Sequence, residues 1–108
     1  MIWVDITGQL KNKKLIAEIS EQILNDYLPK TKRNKFVDVF VSTVCDDQCA
    51  GLCSGDKHGA EIEIARTSHG ERYSYSEMIQ TLSHELVHAK QFLKGELHGV
   101  NMNRWYKQ

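Results

Sequence analysis

The chain has 108 residues, of which 41% are hydrophobic and 26% charged, and its formal net charge is zero. These values are ordinary for a soluble globular protein and predict one domain, residues 1–108, with a modest core. The charge balance gives no general attraction to nucleic acid or to an anionic membrane, and no apolar run reaches membrane-spanning length. The start at Met1 lacks the features of a signal peptide, which favours the cytoplasm of the cell, or of a host cell if the source is viral.

Alternating apolar residues predict a short first strand over residues 2–6, and apolar residues at helical spacing predict a helix over residues 12–28. Pro29 ends that helix because proline cannot continue the backbone hydrogen-bonding pattern. Residues 30–35 form a basic loop, and a run of like charge is usually a solvated loop. This loop is nevertheless where the chain could contact nucleic-acid phosphate, although the neutral net charge argues against strong binding.

Residues 36–44 alternate Val with other residues and predict a second strand, and the polar stretch 45–59 that follows is predicted to be a long loop. The loop contains three cysteines, Cys45, Cys49 and Cys53. An odd, clustered set is a poor disulfide framework, and the spacing fits no familiar structural zinc site. We therefore interpret them as reduced loop thiols rather than a second zinc site, and expect replacement of all three by serine to leave folding and zinc content nearly intact.

Residues 60–66 alternate apolar and charged side chains, which predicts a strand near a sheet edge. A second long helix is predicted from Ser74 or Ser76, because Ser74 and Glu77 have capping-box spacing, and Gly95 is expected to end it. Its core face is predicted from the apolar positions Ile79, Leu82, Leu86, Ala89 and Leu93. The predicted fold class is α+β, with about three strands and two main helices, the second carrying the motif described next.

The second helix contains His84-Glu85-Leu86-Val87-His88. Two histidines four residues apart lie on one side of a helix, and two imidazoles so placed can bind one zinc ion at about 2.0–2.1 Å. Glu85 would project beside the metal, where it can take a proton from a water molecule that the metal activates. The alternative without metal binding is a pair of surface histidines on an amphipathic helix. The pattern predicts His84 and His88 as metal ligands, Zn²⁺ as the cofactor and Glu85 as the catalytic base.

Residues 81–92 resemble the active-site helix of zincin metallopeptidases, and most closely the small SprT-like and phage-encoded His-Glu-x-x-His peptidases. The order of predicted helices and strands is similar along most of the chain. The resemblance implies that His84 and His88 ligate zinc, that Glu85 is the general base, and that the substrate is a protein or peptide. In such families an edge strand pairs with extended substrate, which gives residues 60–66 a functional interpretation beside the plain structural one.

These families also use a third protein ligand downstream of the helix, and here the downstream candidates are Glu96 and His98. A straight helix would place Glu96 about 12 Å from His88 along the axis, so the chain must turn at Gly95 to bring either residue near the metal. Alternatively, the chain lacks the C-terminal part that carries this ligand. Two functions follow, a zinc-dependent peptidase or a non-catalytic zinc-binding or protein-interaction module with an incomplete site. A DNA-associated protease is a weaker third hypothesis.

Overall fold

The structure is a computed structural model that describes residues 1–28, 33–97 and 103–106. A short 3-10 turn at Asp46–Gln48 lies between the second and third strands, and Thr67–Ser68 pairs with Glu71–Arg72 in a small separate hairpin. The regular elements, in chain order, are β1 (Ile2–Gly8), α1 (Lys13–Tyr27), β2 (Lys35–Ser42), β3 (Gly51–Asp56), β4 (Gly59–Ala65), β5 (Thr67–Ser68), β6 (Glu71–Arg72), α2 (Tyr75–Leu93) and β7 (Asn103–Trp105).

The main sheet has five strands in the order β1-β2-β4-β3-β7. The first three of these pair in parallel, whereas β3 runs antiparallel to both β4 and β7. The strand positions that alternate toward the helices form the core, and Val37, Val39, Ile62 and Ile64 are fully buried there. Together with two helices, this small mixed sheet confirms the α+β class that the sequence predicts.

The three predicted strands are present as β1, β2 and β4, and both predicted helices are present as α1 and α2. Two expectations are wrong. The stretch 45–59 is not one long loop, because it contains β3. The strand over residues 60–66 is not at the sheet edge, because β3 and β7 pair beyond it and leave β4 in the middle of the sheet. A short strand rich in glycine and polar residues lacks the alternation of apolar residues that predicts a strand.

Side chains of α1 cover the outer edge of β1. The backbone N–H of Ile2 donates to Asn25 Oδ1 at 2.9 Å, and that of Val4 donates to Glu21 Oε2 at 2.9 Å. Asn25 Nδ2 in turn donates to the carbonyl oxygen of Ile2 at 3.0 Å. Because the edge groups are already paired, a further strand cannot add at this side of the sheet without breaking these bonds.

Helix α2 buries the apolar face that the sequence predicts, with Leu82, Leu86, Ala89 and Leu93 buried and Ile79 half-buried. Helix α1 buries less, since Leu24 lies in the core but Leu15 is 54% exposed. No helix within the described residues is both long and apolar enough to span a bilayer. Of the predicted basic loop, residues 30–32 lie outside the described part of the chain, whereas Arg33 and Asn34 are exposed and Lys35 begins β2.

Candidate metal centre

Helix α2 has well-defined ends that place the motif in its middle. At the start, Ser74 Oγ accepts from the N–H of Glu77 at 3.1 Å while Glu77 Oε1 accepts from the N–H of Ser74 at 2.9 Å, as the sequence predicts. At the end, Gly95 has a φ of 77°. The N–H groups of Gly95 and Glu96 donate back to the last turn of the helix, which is a Schellman ending. Both termini are therefore stabilised locally.

The structure brings His84, Glu85 and His88 together. One nitrogen or oxygen atom from each lies within 4.8 Å of the other two, which is close enough for the three to surround one ion. The two imidazole rings are 5.1 Å apart between centroids and inclined at 74°. Burial and the neighbouring His88 lower the pKa of His84, which favours the neutral form that binds metals. Within the described residues, no other group of three or more His, Cys, Asp or Glu side chains lies close enough together to hold a metal ion.

His88 is oriented by a partner one turn further along the helix. Its Nδ1 atom lies 3.1 Å from Oε1 of Gln91. Because an amide oxygen only accepts, this contact uses the Nδ1–H tautomer and leaves Nε2 with the lone pair that a metal needs. No motif in the sequence singles out Gln91, and the local signal for its contact with His88 is their i, i+3 spacing on the helix.

Glu85 is completely buried, and neither carboxylate oxygen has a hydrogen-bond partner among the described residues. Burial raises the pKa of its carboxyl group to about 8. An ionised carboxylate in such surroundings is costly unless a cation or a donor compensates it. Glu85 also raises the pKa of the neighbouring Cys53 thiol to about 12, after the larger effect of burial. The cluster of side chains thus includes a carboxyl group for which residues 1–28, 33–97 and 103–106 provide no hydrogen-bond donor.

The C-terminal strand reaches the same site. The indole ring of Trp105 on β7 is stacked on the imidazole of His84, with 4.2 Å between ring centroids and 12° between ring planes. These residues are 21 positions apart in the sequence, so no local pattern predicts their contact. The stack exists because β7 pairs with β3 and carries Trp105 toward α2.

The three cysteines are buried, and Cys53 lies on β3 rather than in a loop. Cys53 belongs to the main core, whereas Cys45 and Cys49 form a second small cluster with Leu52 and Ala65. The interpretation of all three as loop thiols is therefore wrong for Cys53 and incomplete for the other two. Serine at these positions would bury a hydroxyl group in place of a weakly polar thiol, so the expected tolerance to serine does not follow from this packing.

The candidates for a third ligand have different outcomes. Glu96 is exposed and does not belong to the group formed by the motif within the described residues. His98 lies outside the described residues, as do its neighbours 99–102. The turn at Gly95 that either candidate requires is present.

The fold and the site together define an α+β domain whose second helix presents a His-Glu-x-x-His group able to hold a metal ion. The model of the SprT-like family matches residues 13–108, so the chain belongs to the SprT-like family. No curated protein and no solved structure matches the chain significantly. The family assignment agrees with the resemblance drawn from residues 81–92.

Proposed function

We propose that the protein is a zinc-dependent peptidase in which His84 and His88 ligate the metal and Glu85 is the general base. The observation that supports this most directly is the fully buried carboxyl group of Glu85 beside two imidazoles, without a hydrogen-bond partner in the part of the chain that the structure describes. A structural carboxylate would have donors or a cation around it. A metal ion held by the two histidines would supply the missing positive charge.

The donor set fits zinc. Imidazole nitrogens are ligands that zinc accepts, and catalytic zinc sites keep one coordination position for a reactant. The lowered pKa of His84 and the Nδ1 contact of His88 with Gln91 both favour neutral imidazoles with a free lone pair. We infer that Nε2 of His88 is the atom that binds.

Zinc at this site would act as a Lewis acid toward water and the scissile carbonyl group. Glu85 would take a proton from the attacking water at a carboxylate oxygen, and then pass it to the leaving amine. The metal-free pKa of Glu85, about 8, makes its carboxylate a stronger base than an exposed glutamate once it is ionised. A cation beside it would favour the ionised form, so the same group can accept a proton at neutral pH.

The test is hydrolysis by Glu85→Gln, with zinc added and an unfolded protein or a peptide library as substrate. Glutamine keeps the shape but cannot accept the proton, so we expect zinc content to persist and the rate to fall at least about a hundredfold. Glu18→Gln on the exposed side of α1 is the matched control and should cleave like the wild type. Equal rates for Glu85→Gln and the wild type would contradict the mechanism.

The third ligand can be assigned by measuring the zinc affinity of alanine variants. We propose His98 before Glu96, because imidazole is a common zinc ligand and the Glu96 side chain is exposed. His98→Ala should then weaken zinc binding much more than Glu96→Ala does. If both variants bind zinc as tightly as the wild type, neither residue is a ligand, and the chain supplies only the two histidines of the motif.

A second candidate function is a zinc-binding or protein-interaction module without catalysis. The observation that favours it is that both Glu85 oxygens are inaccessible, so a solvent water molecule does not contact them in this conformation. This function predicts that the wild-type protein binds zinc but shows no zinc-dependent cleavage of any substrate in the library. Cleavage that disappears on removal of zinc would rule it out.

A further inference from the structure

We propose that Trp105 is a positioning residue that holds the His84 ring in its metal-binding orientation, so that metal affinity depends on docking of the C-terminal strand β7. This inference rests on the proposed metal site but not on catalysis. It assigns a role to a residue outside the motif and outside helix α2. The contact itself is the parallel stack of the two rings at 4.2 Å.

The position of Trp105 is fixed through the backbone. Trp105 is paired with Gly51 of β3, and its carbonyl oxygen accepts a hydrogen bond from the N–H of Ala50 at 2.7 Å. The next residue, Tyr106, donates its hydroxyl to Asp47 Oδ2 at 2.7 Å. Contacts on both sides of the tryptophan therefore hold the strand against β3 and the turn before it. The indole is presented to His84 by the main sheet rather than by a free tail.

The two histidines are oriented by different means. His88 has Gln91 as its hydrogen-bond partner. For His84, the part of the chain that the structure describes provides no hydrogen bond to a ring nitrogen, and the ring contacts are those with His88 and Trp105. Since metal-ligating histidines ordinarily need a second contact to fix the ring, the stack is the contact that can do this for His84.

Stacking is compatible with ligation. A metal binds in the plane of the imidazole, along a nitrogen lone pair, whereas Trp105 covers the face of the ring. The indole therefore restricts rotation of the His84 side chain without blocking its nitrogens. Orienting a ligand before binding lowers the conformational entropy that binding would otherwise remove, and this raises affinity. Loss of the stack should weaken metal binding while leaving both ligands in the chain.

The test compares zinc affinity, measured by competition with a chelator, for Trp105→Leu, Trp105→Phe and the wild type. Leucine keeps apolar bulk but cannot stack, so we expect about a tenfold loss of affinity, similar to the loss of other contacts behind a ligand. Phenylalanine retains a flat ring and should restore most of the affinity. Trp3→Leu is the matched control, because Trp3 lies on β1 at the opposite edge of the sheet. The metal-free melting temperature is measured for each variant.

The fluorescence of Trp105 provides a second measurement, which a purely structural role of the side chain would not make sensitive to metal binding. In a Trp3→Phe background, Trp105 is the single tryptophan of the chain. Binding of Co²⁺ should then quench its fluorescence, and the additional His84→Ala, His88→Ala changes should abolish this quenching. If Trp105→Leu does not fold, the fluorescence experiment still tests the proposed contact between Trp105 and the metal site. Absence of quenching on cobalt binding would overturn the inference.

The outcomes separate the inference from the proposed function. Zinc binding by Trp105→Leu as tight as by the wild type would overturn the role of Trp105 and leave the metal site intact. Equal losses in the leucine and phenylalanine variants would overturn stacking as the cause. A wild-type chain that binds no zinc would overturn both the proposed function and the inference.

Discussion

Glu85 on α2 packs directly against Gly51 on β3. A Cβ atom at position 51 would lie 3.3 Å from Cγ of Glu85 and 2.6 Å from Cγ2 of Thr81, one helical turn earlier. The second distance is shorter than real contacts allow, so the helix approaches the sheet this closely only because residue 51 has no side chain. The absence of a side chain at position 51 of β3 thus sets how deeply Glu85 is buried.

Gly51→Ala should therefore push this turn of α2 away from the sheet. We expect a loss of about 1–3 kcal/mol in the free energy of unfolding, as is usual for overpacking, together with weaker zinc binding. Thr81→Ser is a matched compensating change, because it removes Cγ2 and retains the hydroxyl that donates to the carbonyl of Glu77 at 3.0 Å. Urea denaturation should show partial recovery in the double variant. Additive losses would mean that the contact between positions 51 and 81 does not limit the packing.

The pH dependence of stability should report the burial of Glu85. In the metal-free fold its pKa is raised from 4.5 to about 8, so between these values the folded chain retains a proton that the unfolded chain releases. The contribution of Glu85 to the free energy of unfolding is therefore fully present below about pH 4.5, and it is lost as the pH rises toward 8. Glu85→Gln should be the more stable protein at pH 8, by on the order of 3 kcal/mol, and equal at pH 4.5.

Denaturation with chelator at several pH values measures this difference. Because the other ionisable groups are shared by the two proteins, the difference between them isolates residue 85. Glu18→Gln, a change on the exposed side of α1, is the matched control. A difference between Glu85→Gln and the wild type that does not change with pH would show that the carboxyl group is compensated in solution.

Gln91 should support the metal site through His88. Gln91→Leu removes the acceptor that lies 3.1 Å from His88 Nδ1, and we expect zinc affinity to fall about tenfold. Gln91→Glu keeps an acceptor at this position and should bind at least as tightly as the wild type. Chelator competition measures both. If the leucine variant keeps full affinity, Gln91 does not orient the ligand.

The sequence predicted the parts of this molecule that depend on local spacing. Ser74 and Glu77 are three residues apart and satisfy each other's backbone groups, and His84 and His88 share a helix face because they are one turn apart. Gly95 ends the helix because a left-handed conformation there suits glycine. Each of these relationships is decided within one or two helical turns, so it can be inferred without the tertiary structure.

The parts that were missed depend on partners distant in the chain. Strand β3 contains two glycines and shows no regular alternation of apolar and polar residues. It forms because β4 and β7 pair with it on both sides. Strand β7 has three residues, too few for any sequence pattern. The position of β4 and the stack of Trp105 on His84 follow from these two strands. Neither could be inferred before the sheet order was known.

The cysteines provide a test of the core at β3. Cys53 is fully buried, and its Sγ atom lies 4.0 Å from the carbonyl oxygen of Ser54, which is a weak hydrogen-bond contact. Cys53→Ser should lower the free energy of unfolding by about 1–3 kcal/mol, because it buries a hydroxyl group in place of a weakly polar thiol. The loss should exceed that of Cys53→Ala if polarity rather than volume is the cause. Unchanged stability of the serine variant, measured in urea, would contradict this description of the core.

The most direct test of the central claim is the metal content of the protein after reconstitution with zinc and removal of unbound metal. Elemental analysis should give about one zinc per chain for the wild type and for Glu85→Gln, because neither lacks a histidine ligand. The His84→Ala, His88→Ala double variant, confirmed to be folded, should retain almost none. A wild-type chain that binds no zinc, or a double variant that binds as much as the wild type, would contradict the assignment of these two histidines as the metal site.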